Sequence, residues 1–511
     1  MGERKNKSKT AVATVSEPMV VDTMGGRIHV HWDESAAATP NGQLVFFAEF
    51  LACTGVFDRW VESCPLTYTS PNSPGNRDVL GTLLLAILAG HRRYAHITAL
   101  RGDMVAAKSL GMKKVISEDS MRRALARMDD QASQAWLRPA LMSSVREALD
   151  RDWILDIDAS VKPLYGKQEG ALKGYNPRKP GRPSHVLHTY WVSPLRQVLD
   201  VQLTAGNQHA SSHARAGLEQ LLDDLGEKAP ALVRGDSGYG NEAILVALEQ
   251  REQPYLLRLR QTSNIQRLVR RQFDRLDWSR TDSQGFQAVQ DEVKLSGWSR
   301  SRRVVILRRR LREGIARETM DDHGQLRLDF ADHQILDAAR MWEYTVLVTN
   351  VHYRLESIGQ LYRDRCDCEN GFDELKNQWG LSGFTTQDLN RSQTTARAGA
   401  LIYNWWSWYC RAAHPGGRLE AITSRPLLLA AVGKAASHAG QTTLYLTSMH
   451  ARSETIKQLI VNIRAALRHV RLTAEQFKDV DRWGTLLRYV CQKIAPRIDA
   501  PPTPAALPAT G

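Results

Sequence analysis

WILDIDAS, residues 153 to 160, is a short apolar run that carries two acids, Asp156 and Asp158. On a β-strand, residues two apart point to the same face, and a buried strand seldom carries carboxylates without a task. The texture of the chain changes at this run. Ahead of it, from Gln43 to about Glu147, the pattern is helical: LVFFAEFLACTGVFDRW, VLGTLLLAILAG and SEDSMRRALARM, with Ser117 placed as an N-cap. Behind it HVLHTYWVSP and RQVLDVQLTAG read as strands, HARAGLEQLLDDLGE as a helix, ALVRGDSGYG as a strand, NEAILVALEQ as a helix and PYLLRLR as a strand. Strands followed by alternating helix and strand predict an α/β fold with a mixed sheet.

Further along, VQDEVKLSGW and RRVVILRRRL read as strands of an arginine-rich stretch, before the α/β order resumes at MWEYTVLVTN. Between Arg251 and Met320 there are 17 Arg and Lys against 8 Asp and Glu, a net +9 within a chain of net charge +13. Arginine outnumbers lysine there, which favours phosphate recognition by planar forks. Arg302, Arg303, Arg308, Arg309 and Arg310 are the candidate nucleic-acid contacts. GMKKVISEDSMRRALARM has the form of a turn plus a basic helix, and a plain helical bundle fits it equally. ARAGALIYNWWSWYCR places Ala400, Tyr403, Trp406 and Cys410 at helical spacing, which predicts a core helix.

Composition excludes several classes. No apolar run reaches the roughly 18 residues that span a bilayer, and MGERKNKSK has no apolar segment behind it to make a signal peptide. The six cysteines are scattered without a CxxC pair, against zinc and against a disulfide framework. These features predict a cytosolic protein. At 511 residues, two to four domains are expected.

YRDRCDCENGFDELK, Tyr362 to Lys376, follows the last strand. Tyr362, Arg365, Glu369 and Lys376 stand at offsets 0, 3, 7 and 14. On one continuous helix these fall at roughly 0°, −60°, −20° and −40°, a single stripe. Asp373, at roughly +20° on the same stripe, rivals Glu369. Asp236, in VRGDSGYG, ends a strand at the carboxyl edge of the sheet, where α/β sites form. It also serves as a possible cap for the helix near Asn241, and Asp156 as a possible salt-bridge partner. Three carboxylates from the first strand, the fourth strand and a later helix can hold two Mg²⁺ or Mn²⁺ ions about 4 Å apart for phosphoryl transfer. Oxygen ligands without His or Cys suit Mg²⁺ over zinc.

The Y–x2–R–x3–E–x6–K spacing resembles the signature of bacterial insertion-sequence transposases with a DDE triad, and DIDAS, GDSGYG and YRDRCDCENGFDELK look most like the insertion sequence 1380 group. The resemblance covers about residues 75 to 470. It implies an RNase H-like catalytic core interrupted by a β-rich insertion before the catalytic glutamate. It implies Asp158, Asp236 and Glu369 as the catalytic, metal-holding triad. Asp158 is preferred over Asp156 because Ala159 and Ser160 follow it. Tyr362, Arg365 and Lys376 would contact phosphates near the cleaved end, and Trp342, with Trp298 as fallback, would stack on a flipped base.

The implied domains are a disordered basic tail at 1–20, a mainly helical DNA-binding region at 21–150, the core at 151–260 and 342–412, and an arginine-rich β insertion at 261–341. A helical region at 413–497, for dimer or DNA contacts, and a disordered tail at 498–511 complete the chain. The partners implied are double-stranded DNA, as terminal inverted repeats and target, and a second copy of the chain on that DNA. The setting implied is the bacterial nucleoid. Rival readings are a DNA-binding descendant without catalysis and an RNase H-like nuclease that cuts without joining.

Overall fold

A computed structural model describes residues 18–33, 37–176, 178–208, 210–273, 275–310, 342–477 and 481–495. The tails expected at the two ends, apart from residues 18–20, and residues 311–341 of the arginine-rich stretch lie outside the described residues. The core is a large mixed sheet flanked by helices. Its first strand, β1 (Ile154–Pro163), contains the WILDIDAS acids. Strands β2 (Pro183–Val192) and β3 (Gln197–Ala205) follow as antiparallel neighbours, β2 on β1 and β3 on β2.

After helix α1 (Ala210–Leu225) the chain returns on the other side of β1. There β4 (Leu232–Gly235) runs parallel to β1. Helix α2 (Glu242–Gln250) then leads into β5 (Tyr255–Arg258), parallel to β4. The alternation of strand and helix after the first three strands is the one the apolar periodicity predicts. β4, β5 and the part of β1 that pairs with β4, Ile154–Ile157, are buried, as parallel strands covered on both faces must be.

The arginine-rich stretch continues this same sheet. Helix α3 (Ser263–Gln272) precedes β6 (Phe286–Val293) and β7 (Arg302–Arg310), and β8 (Trp342–Thr349) follows. The order β6-β7-β8-β5 is antiparallel throughout, so the described part of the stretch adds strands to the core sheet instead of forming a layer of its own. The physical reason is visible in β7. Val304, Val305, Ile306 and Leu307 are buried on both faces, and the arginines sit at the two ends of the strand.

Next come α4 (Leu355–Arg363) and α5 (Cys366–Gln378), then α6 (Leu389–Ala413). α6 is the ARAGALIYNWWSWYCR helix, and Ala400, Tyr403, Trp406 and Cys410 are buried as expected. It packs on β3 on one side and on the helices Asp130–Ser143 and Ser453–Gln476 on others. Phe47 meets Trp406 and Tyr409 edge-on, at 5.0 and 5.1 Å between ring centroids. A small sheet ties the chain's two helical ends together, with Ala38–Thr39 pairing Gly433–His438, which pairs Gln441–Leu446. Ser117 does cap the helix Glu118–Leu125, accepting from the Ser120 N–H at 3.2 Å.

Candidate active site

The register of β1 against β4 sets the site. Asp156 lies opposite Arg234 and Ile157 opposite Gly235. One residue further, Asp158 comes beside Asp236, the first residue beyond β4. Since the side-chain period is two, both pairs fall on one face: an acid–arginine pair inside the sheet and an acid–acid pair at its carboxyl edge.

The inner pair is closed. Arg234 donates Nε–H to Asp156 Oδ1 at 2.8 Å and Nη2–H to Oδ2 at 2.7 Å, and neither side chain reaches solvent. Asp156, the alternative to Asp158 as a metal ligand, is therefore saturated by a bidentate partner. Arg234 has two further tasks. It donates to Ser193 Oγ at 3.0 Å and to the Leu361 carbonyl.

That last bond changes the helix. In an unbroken helix the Leu361 carbonyl accepts from the Arg365 N–H. Here Arg365 N–H bonds the Tyr362 carbonyl at 3.1 Å, and Asp367 and Cys368 also bond three residues back. The single helix expected from Tyr362 to Lys376 is thus two, α4 and α5, joined through Asp364 and Arg365. A side chain inserted into the ladder is a recognised cause of such a kink. Tyr362 ends up on α4, Arg365 at the N-cap of α5, and Glu369 and Lys376 on α5.

The kink turns Arg365 inward. Its guanidinium donates to Asp158 Oδ1 at 2.7 Å, to the Ile157 carbonyl at 3.3 Å and to Glu369 Oε1 at 3.0 Å. Burial is the largest influence on Arg365 and opposes its charge, but Asp158, Tyr362, Cys368 and Asp236 together outweigh it and hold the guanidinium protonated. Asp158 itself is pushed above the usual carboxylate range by burial and by the charge of Asp236, against the pull of Arg365 and Lys376. Tyr362 is half-buried, has Arg365, Arg258, Asp236 and Glu369 as its charged neighbours, and is pushed up to about 12 by burial. Asp158, Asp236, Tyr362, Arg365, Glu369 and Lys376 are thereby brought into one electrostatic neighbourhood.

Glu369 is the outlying member, with 59% of its side chain exposed. Among the described residues no three His, Cys, Asp or Glu side chains converge closely enough to hold a metal ion. Asp236 accepts from the Gly238 N–H at 2.9 Å, and the helix cap it rivals for is taken by Asn241. Asp373, the rival to Glu369, is exposed and accepts from Asn377 at 2.8 Å.

α5 reaches the sheet because of Gly371. A Cβ there would stand 2.4 Å from the ring of buried Trp191 on β2. Gly371→Ala is expected to destabilise by about 1–3 kcal/mol through overpacking and to cut activity by moving Glu369. Denaturant unfolding and strand-cleavage rates check the two effects.

The arginines proposed to face DNA are mostly committed within the fold. Arg302 is buried and bonded to Glu249 (2.7 and 2.9 Å) and Glu242 (2.6 Å). Arg303 bonds Gln290 at 2.8 Å and the Val351 carbonyl at 2.5 Å. Arg308 lies between the rings of Trp278 and Trp342, at 3.8 and 4.5 Å. Arg309 pairs with Glu343 at 2.7 Å, and Arg310 is exposed. Trp342 is thus half-buried under Arg308, and Trp298 is buried beside Arg302. The sequence could not show these partners, because Glu242 and Glu249 lie some fifty to sixty residues upstream. Arg302→Gln is expected to cost about 1.5–3 kcal/mol by removing charge-assisted bonds to Glu249 and Glu242, with Arg300 still paired to Glu249, and to leave the salt dependence of DNA binding unchanged. A slope lowered by about one would place Arg302 on a phosphate instead.

No helix among the described residues is long and apolar enough to cross a membrane. No curated protein matches the chain. Among solved structures, a piggyBac transposase in a synaptic complex with hairpin DNA is 13% identical, with 93% of this chain and 87% of that one covered. Its TM-score is 0.34, a likeness that carries no argument. The family model described as transposase DDE domain group 1 matches residues 41–468. Over five-sixths of its length, then, the chain belongs to the DDE-domain transposases of group 1.

Proposed function

We propose that this chain is a cut-and-paste enzyme of the insertion sequence 1380 type, which cuts at the terminal inverted repeats of its own mobile element and joins the 3′-ends to target DNA through a hairpin intermediate. Asp158, Asp236 and Glu369 are the catalytic acids of this reading. The observation that carries it is the position of Arg365, one buried guanidinium bonded at once to Asp158 and Glu369, with the charge of Asp236 beside it. The strand order β3-β2-β1-β4-β5, with helices between the later strands, supports an RNase H-like core.

The donor set fits a hard divalent ion. Asp158 and Asp236 are like charges side by side in a partly buried setting, offset by cations that are themselves side chains. With Glu369 released from Arg365, all ligands would be carboxylate oxygens, which suits two Mg²⁺ or Mn²⁺ ions. When bound, such ions would polarise an attacking water or 3′-hydroxyl and stabilise the leaving oxygen.

The chain's own residues bind and orient. Arg365 and Lys376 would draw the phosphate of the cleaved end to Asp158, midway along β1, and to Asp236 at the carboxyl end of β4. Tyr362, protonated at neutral pH, can donate its O–H to a phosphate oxygen without adding negative charge. Trp342 remains the candidate for stacking on a flipped base, once Arg308 moves off its ring. Cleavage of paired ends in trans would require a second copy on the DNA.

The test is to incubate the purified chain with Mg²⁺ and a labelled duplex carrying the terminal repeat. Hairpin and strand-transfer products are expected. Nicking without joining would make the chain a nuclease, and a shifted but uncut band would make it a DNA-binding descendant.

A further inference from the structure

With the β7 arginines largely occupied, the backbone of a bound duplex needs another cationic surface. The connection from β1 to β2, residues 164–182, holds five cations and one acid. Lys167, Lys173, Arg178, Lys179 and Arg182 are all exposed, and none pairs with a carboxylate among the described residues. The one acid, Glu169, is otherwise engaged. Its carboxylate accepts from the Leu389 N–H at 3.0 Å, at the start of α6.

This connection is held in place at its base. The Glu169 N–H bonds the Gln387 carbonyl at 2.9 Å, its carbonyl meets His185 Nε2 at 2.7 Å, and the Gly206 N–H bonds the Gly170 carbonyl at 3.2 Å. Leu172–Lys173 pairs with the start of β2 as a short edge strand. Further out, Tyr165 is 69% exposed, with Lys179 and Arg182 over its ring at 5.0 and 4.9 Å. A fixed base, cations without a carboxylate partner and an exposed aromatic ring are what a phosphate-tracking surface needs.

Its position links it to the site. The connection leaves β1 five residues beyond Asp158, about 17 Å along the strand. We propose that the β1–β2 connection is a clamp on double-stranded DNA, its cations gripping the backbone about five base pairs from the phosphate held at Asp158, at about 3.4 Å per pair. The clamp rests on the transposase reading above and names where that site's DNA runs.

The test measures binding of the full chain to a duplex of arbitrary sequence across a salt series. The triple variant Arg178→Gln, Lys179→Gln, Arg182→Gln is expected to lower the slope of log K against log salt by about 2.7, at about 0.9 per phosphate contact. Its thermal unfolding midpoint should match the parent's, because these side chains are exposed. If the triple variant does not fold, Lys167→Gln and Arg182→Gln singly should each lower the slope by about 0.9. A parent with salt-dependent binding and variants with an unchanged slope would overturn the clamp alone. A parent without salt-dependent duplex binding would overturn both the clamp and the transposase reading. Loss of affinity for duplex RNA but not for duplex DNA would also overturn the clamp.

Discussion

Glu369→Gln is expected to lower strand cleavage by about 10²-fold or more while leaving DNA binding largely intact. The magnitude follows from removing one anionic oxygen from a site in which metal ligation contributes several kcal/mol to the barrier, at about 1.4 kcal/mol per tenfold in rate. Folding should not confuse the result. Glu369 is mostly exposed, its bond to Arg365 is a half-exposed i,i+4 contact of small worth, and the amide can still accept from Arg365. Single-turnover cleavage of a labelled end duplex, beside a gel-shift titration, separates chemistry from binding. Retained cleavage would remove Glu369 from the triad and turn attention to Asp373 on the same helix.

Asp156→Asn should have the largest effect on stability, about 3–5 kcal/mol, by leaving the Arg234 guanidinium charged and unneutralised in the interior. Denaturant unfolding reads this directly, and a loss below about 1 kcal/mol is incompatible with a buried bidentate pair. A second variant tests the pair's task. Asp156→Leu with Arg234→Met removes both charges, so much of the stability should return. The Leu361 carbonyl would then be free for the Arg365 N–H, the helix would run on without its kink, and Arg365 would lose the inward turn that brings it to Asp158. A folded, inactive double variant is therefore expected. Full activity would show that the kink does not position the site.

Much of the site was legible in the chain. The period-two placement of Asp156 and Asp158 marked a strand face, and the spacing of Tyr362, Arg365, Glu369 and Lys376 marked the segment that meets it. Ser117 as a cap and the aromatic face of α6 were equally local signals, and both stand in the structure. The straight helix was not local. Its break depends on Arg234, 127 residues before the carbonyl it takes.

The sequence by itself determined the elements and their order, the candidate acids on β1, just beyond β4 and on α5, and a basic excess fitting a nucleic-acid partner, because propensity, periodicity and charge are properties of neighbours in the chain. Only the tertiary structure decided which acid is neutralised and which cations are spent. Asp156 meets Arg234 because a parallel register aligns residues 78 apart in the chain, and Arg302, at the start of β7, meets Glu249 and Glu242 of α2 across 53 and 60 residues. An ion pair needs its partner within about 4 Å, and in these cases the partners are brought together by the fold.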